Sequence, residues 1–158
     1  MRTARDLFDA FIANAARPAM PTHALFADDG VYEVPYLETL GLPWRYCGRD
    51  QVAGFFDAYR DLFPRLVFQD VVIVAETADC VVAEYQFTTR SSRTARMIHQ
   101  LIVGRLEAAA GQIALLRESV NLAETALALF RDGLADPRVP HDREPVFPDE
   151  RDVDSDGG

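Results

Sequence analysis

Lysine is missing from this 158-residue chain, whose 16 basic residues are all arginine. The absence excludes a lysine Schiff base, a phosphate-binding loop ending in Gly-Lys-Ser/Thr, and the strand lysine of protein kinases. Cysteine is nearly missing as well. Cys47 and Cys80 stand 33 positions apart, without a CxxC pair or companion histidines. Neither a disulfide framework nor a metal site is expected, and both read as buried thiols. No apolar run is long enough to cross a membrane, and the opening MRTARDLFDAFIANAARP places Asp6 and Asp9 where a secretory signal would be apolar. The expectation is a cytoplasmic protein with no membrane partner. Positive charge is scarce too, since 25 acids leave a net charge of −9 and no basic stripe. That removes the phosphate-backbone attraction on which nucleic-acid binding depends.

What is present is enough apolar material, 49% of residues, for one core. The acids crowd at one end. Residues 136–158 hold eight acids against three arginines, together with Pro137, Pro140, Pro145 and Pro148, and too few apolar side chains to offset their ordering entropy. This divides the chain into a folded domain, 1–135, and an acidic, proline-rich tail, 136–158. The tail is expected to be mobile, or strapped on a neighbour through Val139, Val146 and Phe147.

Within 1–135 the hydrophobic period identifies the elements. Leu7, Phe8, Phe11 and Ile12 predict a helix over 3–16, with Thr3 as N-cap and Pro18 as stop. A short helix from Thr22 to Phe26, a turn at Asp28-Asp29-Gly30 and an extended VYEVPY follow, and 37–48 reads as loop. Val52, Phe55, Phe56, Tyr59 and Leu62 share one face of a helix over Arg49–Leu62. The period then changes from 3.6 to 2. LVFQDVVIVAE, CVVAEYQFTTR, ARMIHQLIVGRLEA and, after an Ala110-Gly111 turn, QIALLRESV predict closely joined antiparallel strands, with a last helix from Asn121 to Phe130. The fold class is α+β: a curved antiparallel sheet wrapped on about three N-terminal helices.

The phrases ALFADDGVYEVPY, GLPWRYCGRDQVAGFF, IHQLIV and GQIALLRESVNLAETALAL, in that order, resemble the SnoaL-like, ketosteroid-isomerase-like superfamily, also called nuclear-transport-factor-two-like. The resemblance covers residues 3 to 130 and implies a cone with one deep pocket. RESVN before a helix is most similar to the closing segment of the phenazine-biosynthesis A/B proteins and to that of limonene epoxide hydrolase. In those relatives the acid after the arginine is a pocket acid or base, which places that role on Glu118. The fold hosts isomerases, cyclases, dehydratases, hydrolases and pure binding modules, so it implies a pocket rather than one reaction. The departures are specific. The steroid-isomerase base position falls on Val34, its oxyanion tyrosine on Phe8 or Phe11, and its second acid on or near His99. The epoxide hydrolase's Asp-Arg-Asp network finds only Gln86, Thr88 and Arg90.

Taken singly, Glu118 shares a strand face with Leu116 and Val120, where desolvation would raise its pKa toward neutrality. His99, between Met97 and Leu101, is read as equally buried, and paired with Glu118 it would form a base with an orienting carboxylate. Alone it would be a satisfied core histidine. Tyr32, Val34, Trp44, Phe55, Tyr85 and Leu116 are the expected substrate-binding residues. Asp28, Asp29 and Glu33 read as turn or solvent-facing groups, and Arg49 and Arg117 as surface ion-pair partners. The functional expectation is cofactor-free acid/base chemistry on a small apolar ring compound by Glu118 and His99. The alternative is a non-catalytic binding or dimerisation module. A homodimer through the sheet is expected because strand segments such as MIHQLIV carry apolar residues on both faces and helices cover only one.

Overall fold

The first helix, α1 (Ala4–Ala16), begins in a reciprocal cap: the Asp6 N–H donates to Thr3 Oγ1 at 3.2 Å, and the Thr3 N–H donates to Asp6 Oδ2 at 2.8 Å. Its Leu7, Phe8 and Phe11 are buried in the core. The computed structural model describes residues 1–16 and 20–136, so the expected tail beyond Asp136 lies outside the described residues. After a 3-10 turn at Thr22–Leu25 comes strand β1 (Phe26–Glu33), then a second 3-10 turn (Pro35–Leu40), β2 (Arg45–Cys47) and α2 (Arg49–Leu62). The strands β3 (Gln69–Glu76), β4 (Cys80–Arg90), β5 (Met97–Ala109) and β6 (Gln112–Val120) follow, and α3 (Leu122–Leu129) closes the domain.

The six strands form one sheet in the order β2-β1-β6-β5-β4-β3. Hairpin-linked neighbours pair antiparallel, as expected, but β1 lies parallel to β6, so the sheet is mixed. Eighty-odd residues separate these two strands, and no tight turn dictates their direction. β2 forms inside the segment read as loop, where Val31, Tyr32 and Glu33 supply partners for Cys47, Tyr46 and Arg45. On this short strand Cys47 is exposed, and Cys80 at the start of β4 is half-buried, so neither is the fully buried thiol expected. At the β5–β6 turn, Ala110 and Gly111 have φ of 52° and 75° and join the paired Ala109 and Gln112, the geometry that matches strand twist in two-residue hairpins.

The two faces of the sheet differ. Inward point Val81, Ala83, Tyr85 and Phe87 of β4 and Ile98, Gln100, Ile102 and Leu106 of β5, all buried against the helices. Outward point Met97, His99, Leu101 and Val103, all exposed. Two of the three α-helices precede most of the sheet, and α3 seals it from the C-terminal side. Gln100 locks that seal: its Oε1 accepts the Asn121 N–H at 2.7 Å, and its Nε2 donates to Thr125 Oγ1 at 2.9 Å. The β4–β5 loop serves the last turn of α3, with Ser91 Oγ donating to the Ala128 carbonyl at 2.7 Å and Thr94 Oγ1 to that of Leu127 at 2.9 Å.

Candidate active site

Glu118 lies on the inner face of β6 opposite Gly104 of β5 and is only 4% exposed. Two buried phenols hold it: Tyr32 of β1 donates to Oε2, and Tyr85 of β4 donates to Oε1. Strand order explains the convergence. β1 is the immediate neighbour of β6, whereas Tyr85 must reach across β5. Gly104 makes that crossing feasible, because a Cβ there would collide with the Tyr85 hydroxyl and come within 2.9 Å of Cε1. Aromatic packing fixes both rings. Tyr32 has Phe55 and Phe56 at centroid distances of 4.6 and 5.0 Å, and Tyr85 has Phe68 and Phe8 at 5.0 and 5.6 Å.

Burial pushes the Glu118 carboxyl above the ordinary carboxylate range, and the two phenol hydrogen bonds offset part of that rise. The phenols of Tyr32, Tyr85 and nearby Tyr59 are raised well above their usual value, first by burial and then by the charge of Glu118. They therefore stay protonated donors. Each carboxylate oxygen has a second acceptor position, so bonding to one tyrosine leaves each oxygen capacity for a proton or a ligand atom.

Two cavities reach Glu118. One, of about 850 Å³, runs between α1, α2 and the 63–68 loop, past Phe11, Phe56, Leu66 and Phe68. The other, of about 810 Å³, is walled by Tyr32, Val34, Leu37, Phe55, Val120 and Leu129. Of the expected substrate-binding residues, Tyr32, Val34 and Phe55 thus line the second cavity. Tyr85 and Leu116 are fully buried behind the cavity walls, and Trp44 lines neither space.

His99 requires a correction. It is exposed on the outer face of β5, where its Nε2 lies 2.9 Å from Gln86 Oε1, and the sheet separates it from Glu118. The alternation of β5 puts Met97, His99 and Leu101 on the side away from the helices, so neither the buried histidine nor its pairing with Glu118 exists. Glu33 is a second correction. It is buried on the outer face, not solvent-facing, and accepts from Arg117 Nε at 2.7 Å and pairs with Arg45 Nε at 3.1 Å. Arg49 pairs with Asp28 at 2.8 Å and donates to the Phe26 carbonyl at 2.7 Å. Tyr59, which the sequence places on the apolar face of α2 with no site role, touches both cavities. A hydroxyl on the otherwise apolar stripe of α2 was the available signal. Among the described residues no cluster of His, Cys, Asp or Glu could hold a metal ion.

A mixed, curved sheet folded over helices encloses a buried carboxylate held by two phenols, the architecture of a cone fold. Residues 4–116 match the model of the SnoaL-like domain, and the chain belongs to that family. Solved structures share the fold. A candidate isomerase from Bacillus subtilis is 22% identical with a TM-score of 0.70, covering 79% of this chain and 91% of its own. A phenazine biosynthesis-related protein from Pseudomonas aeruginosa is 16% identical with a TM-score of 0.69, covering 92% and 93%. A candidate polyketide cyclase from Pseudomonas putida is 17% identical with a TM-score of 0.68, covering 82% and 100%. No curated protein matches the chain. No helix among the described residues is long and apolar enough to cross a membrane.

Proposed function

We propose that this protein carries out cofactor-free acid/base chemistry, of isomerase, cyclase, dehydratase or hydrolase type, on a small and largely apolar ring compound, with Glu118 as the group that takes and returns the proton. The observation that carries this reading is a desolvated carboxylate, among the described residues the one acid side chain common to both cavities, held in place by two neutral hydroxyls. Its raised pKa brings the protonated and ionised forms closer in energy near neutral pH, as proton transfer requires. When Glu118 gains a proton, one tyrosine hydroxyl rotates from donor to acceptor, and the ring positions need not change. Val34, buried where the resemblance would put a steroid-isomerase base, leaves Glu118 to do this work. The names of the candidate isomerase and candidate polyketide cyclase support the same class of chemistry.

Screening ring ketones, epoxides and hydroxylated polyketides tests the proposal. For any compound turned over, Glu118→Gln should lower kcat by about 100-fold or more while still unfolding cooperatively, and undiminished turnover would refute the assignment. The engagement of both Glu118 oxygens by Tyr32 and Tyr85 favours a second reading, in which the pocket binds its ring compound without turnover. Ligand retention with no turnover in that screen selects it.

We also infer a homodimer through the outer sheet face. Leu101, Val103, Met97, Val72 and Val74 are exposed there, and in-register pairing sets Val72, Glu84, Val103 and Ser119 in one row across four strands. Sedimentation should give a dimer at micromolar concentration and a monomer for Leu101→Glu. A wild-type monomer contradicts this.

A further inference from the structure

Among the described residues the two cavities share Tyr59, Phe63 and Glu118 as lining, so the carboxylate borders both spaces rather than the end of one. Three phenols surround it, and they are not equivalent. Tyr32 and Tyr85 commit their hydroxyls to Glu118, whereas the Tyr59 hydroxyl makes no hydrogen bond to another described residue. Every fully enclosed side-chain nitrogen or oxygen among the described residues has a partner, so the unpartnered Tyr59 oxygen must open onto cavity space. Its ring is held by Phe55 at 5.6 Å, one helical turn earlier on α2, and by Phe63 at 5.1 Å. A fixed phenol that retains a free donor, among apolar walls and beside a proton-carrying acid, is built to receive an oxygen atom.

We propose that the Tyr59 hydroxyl binds a carbonyl or hydroxyl oxygen of the ligand beside Glu118, and that the ligand is an oxygen-bearing ring compound with an apolar extension, its two parts occupying the two cavities as two arms. The ring lies in the arm of Val34, Phe55 and Val120, and the extension lies in the arm of Phe11, Leu66 and Phe68. This rests on the proposal above that the pocket takes a ring compound, and it specifies which compounds fit. A site that hydrogen-bonds a ligand oxygen discriminates against the analogue lacking it.

Fluorescence titration of the full chain with 2-naphthol, naphthalene and 6-hexyl-2-naphthol tests the proposal. Tyr59→Phe should weaken 2-naphthol about threefold to tenfold and leave naphthalene within about twofold, the size of one net hydrogen bond. Exposed Tyr36, which lines neither cavity, should give a Tyr36→Phe control that binds like wild type. Ala15→Trp, which narrows only the first arm, should weaken 6-hexyl-2-naphthol at least about fivefold and spare 2-naphthol. Equal naphthol binding by wild type and Tyr59→Phe overturns the oxygen contact. Unchanged binding of the hexyl compound by Ala15→Trp overturns the two-arm ligand. A Tyr59-dependent preference together with no turnover in the screen of ring ketones, epoxides and hydroxylated polyketides would sink the catalytic reading and leave this one standing.

Discussion

Two buried glutamates occupy neighbouring strands on opposite faces of one sheet, and their surroundings give them different roles. Glu33 of β1 lies between Arg45 and Arg117, its partners in register on either side, so its charge is matched by two half-exposed guanidinium groups. Glu118, one residue beyond Arg117, meets only neutral hydroxyls. The first arrangement ties three strands together through two ion pairs. The second leaves a desolvated carboxyl with no matching charge, the setting in which the proposed proton transfer would work.

A matched pair of substitutions puts this contrast to its strongest test. Glu118→Leu strands two buried tyrosine hydroxyls and should cost about 1–3 kcal/mol for each, whereas Glu33→Leu releases two arginines into solvent and should cost about 1 kcal/mol or less. Equal losses by denaturant unfolding would erase the distinction. A smaller effect comes from Gly104→Ala, which pushes Tyr85 off Glu118 and should destabilise by about 1–3 kcal/mol. The Glu118 carboxyl should then titrate differently from wild type, while the Glu33 ion pairs are unaffected. An unchanged titration would mean that Tyr85 does not help to set the site.

The inward orientation of Glu118 was legible in the sequence. The 3.6-residue period fixed α2 at Arg49–Leu62, and Leu116 and Val120 told which way Glu118 faces, because that strand has a polar alternate in Arg117 and Ser119. β5 gave no such cue. Met97, Leu101 and Val103 are as apolar as Ile98, Ile102 and Leu106, so periodicity grouped His99 correctly with Met97 and Leu101 but could not say which group meets the helices. Gln100 is inside because it holds α3, a tertiary fact with no local signature. The parallel β1–β6 pairing and the burial of Glu33 depend on strands about 80 residues apart and were unreadable for the same reason. Gly104, an isolated glycine in a strand, is the clue that points most directly to the close approach of Tyr85.

Because Glu118 is a desolvated acid held by neutral donors, its protonation is linked to stability. A carboxyl whose folded-state pKa is raised adds stability below its unfolded-state pKa and loses it as pH rises through the folded value. The melting temperature should therefore fall across that window in wild type and not in Glu118→Gln. The most direct measurement is a carbon-13 NMR titration of the Glu118 side-chain carboxyl in the intact protein. A midpoint above that of glutamate in an unstructured peptide is expected, with Tyr32 and Tyr85 shifting in step. A midpoint at or below the peptide value would contradict it.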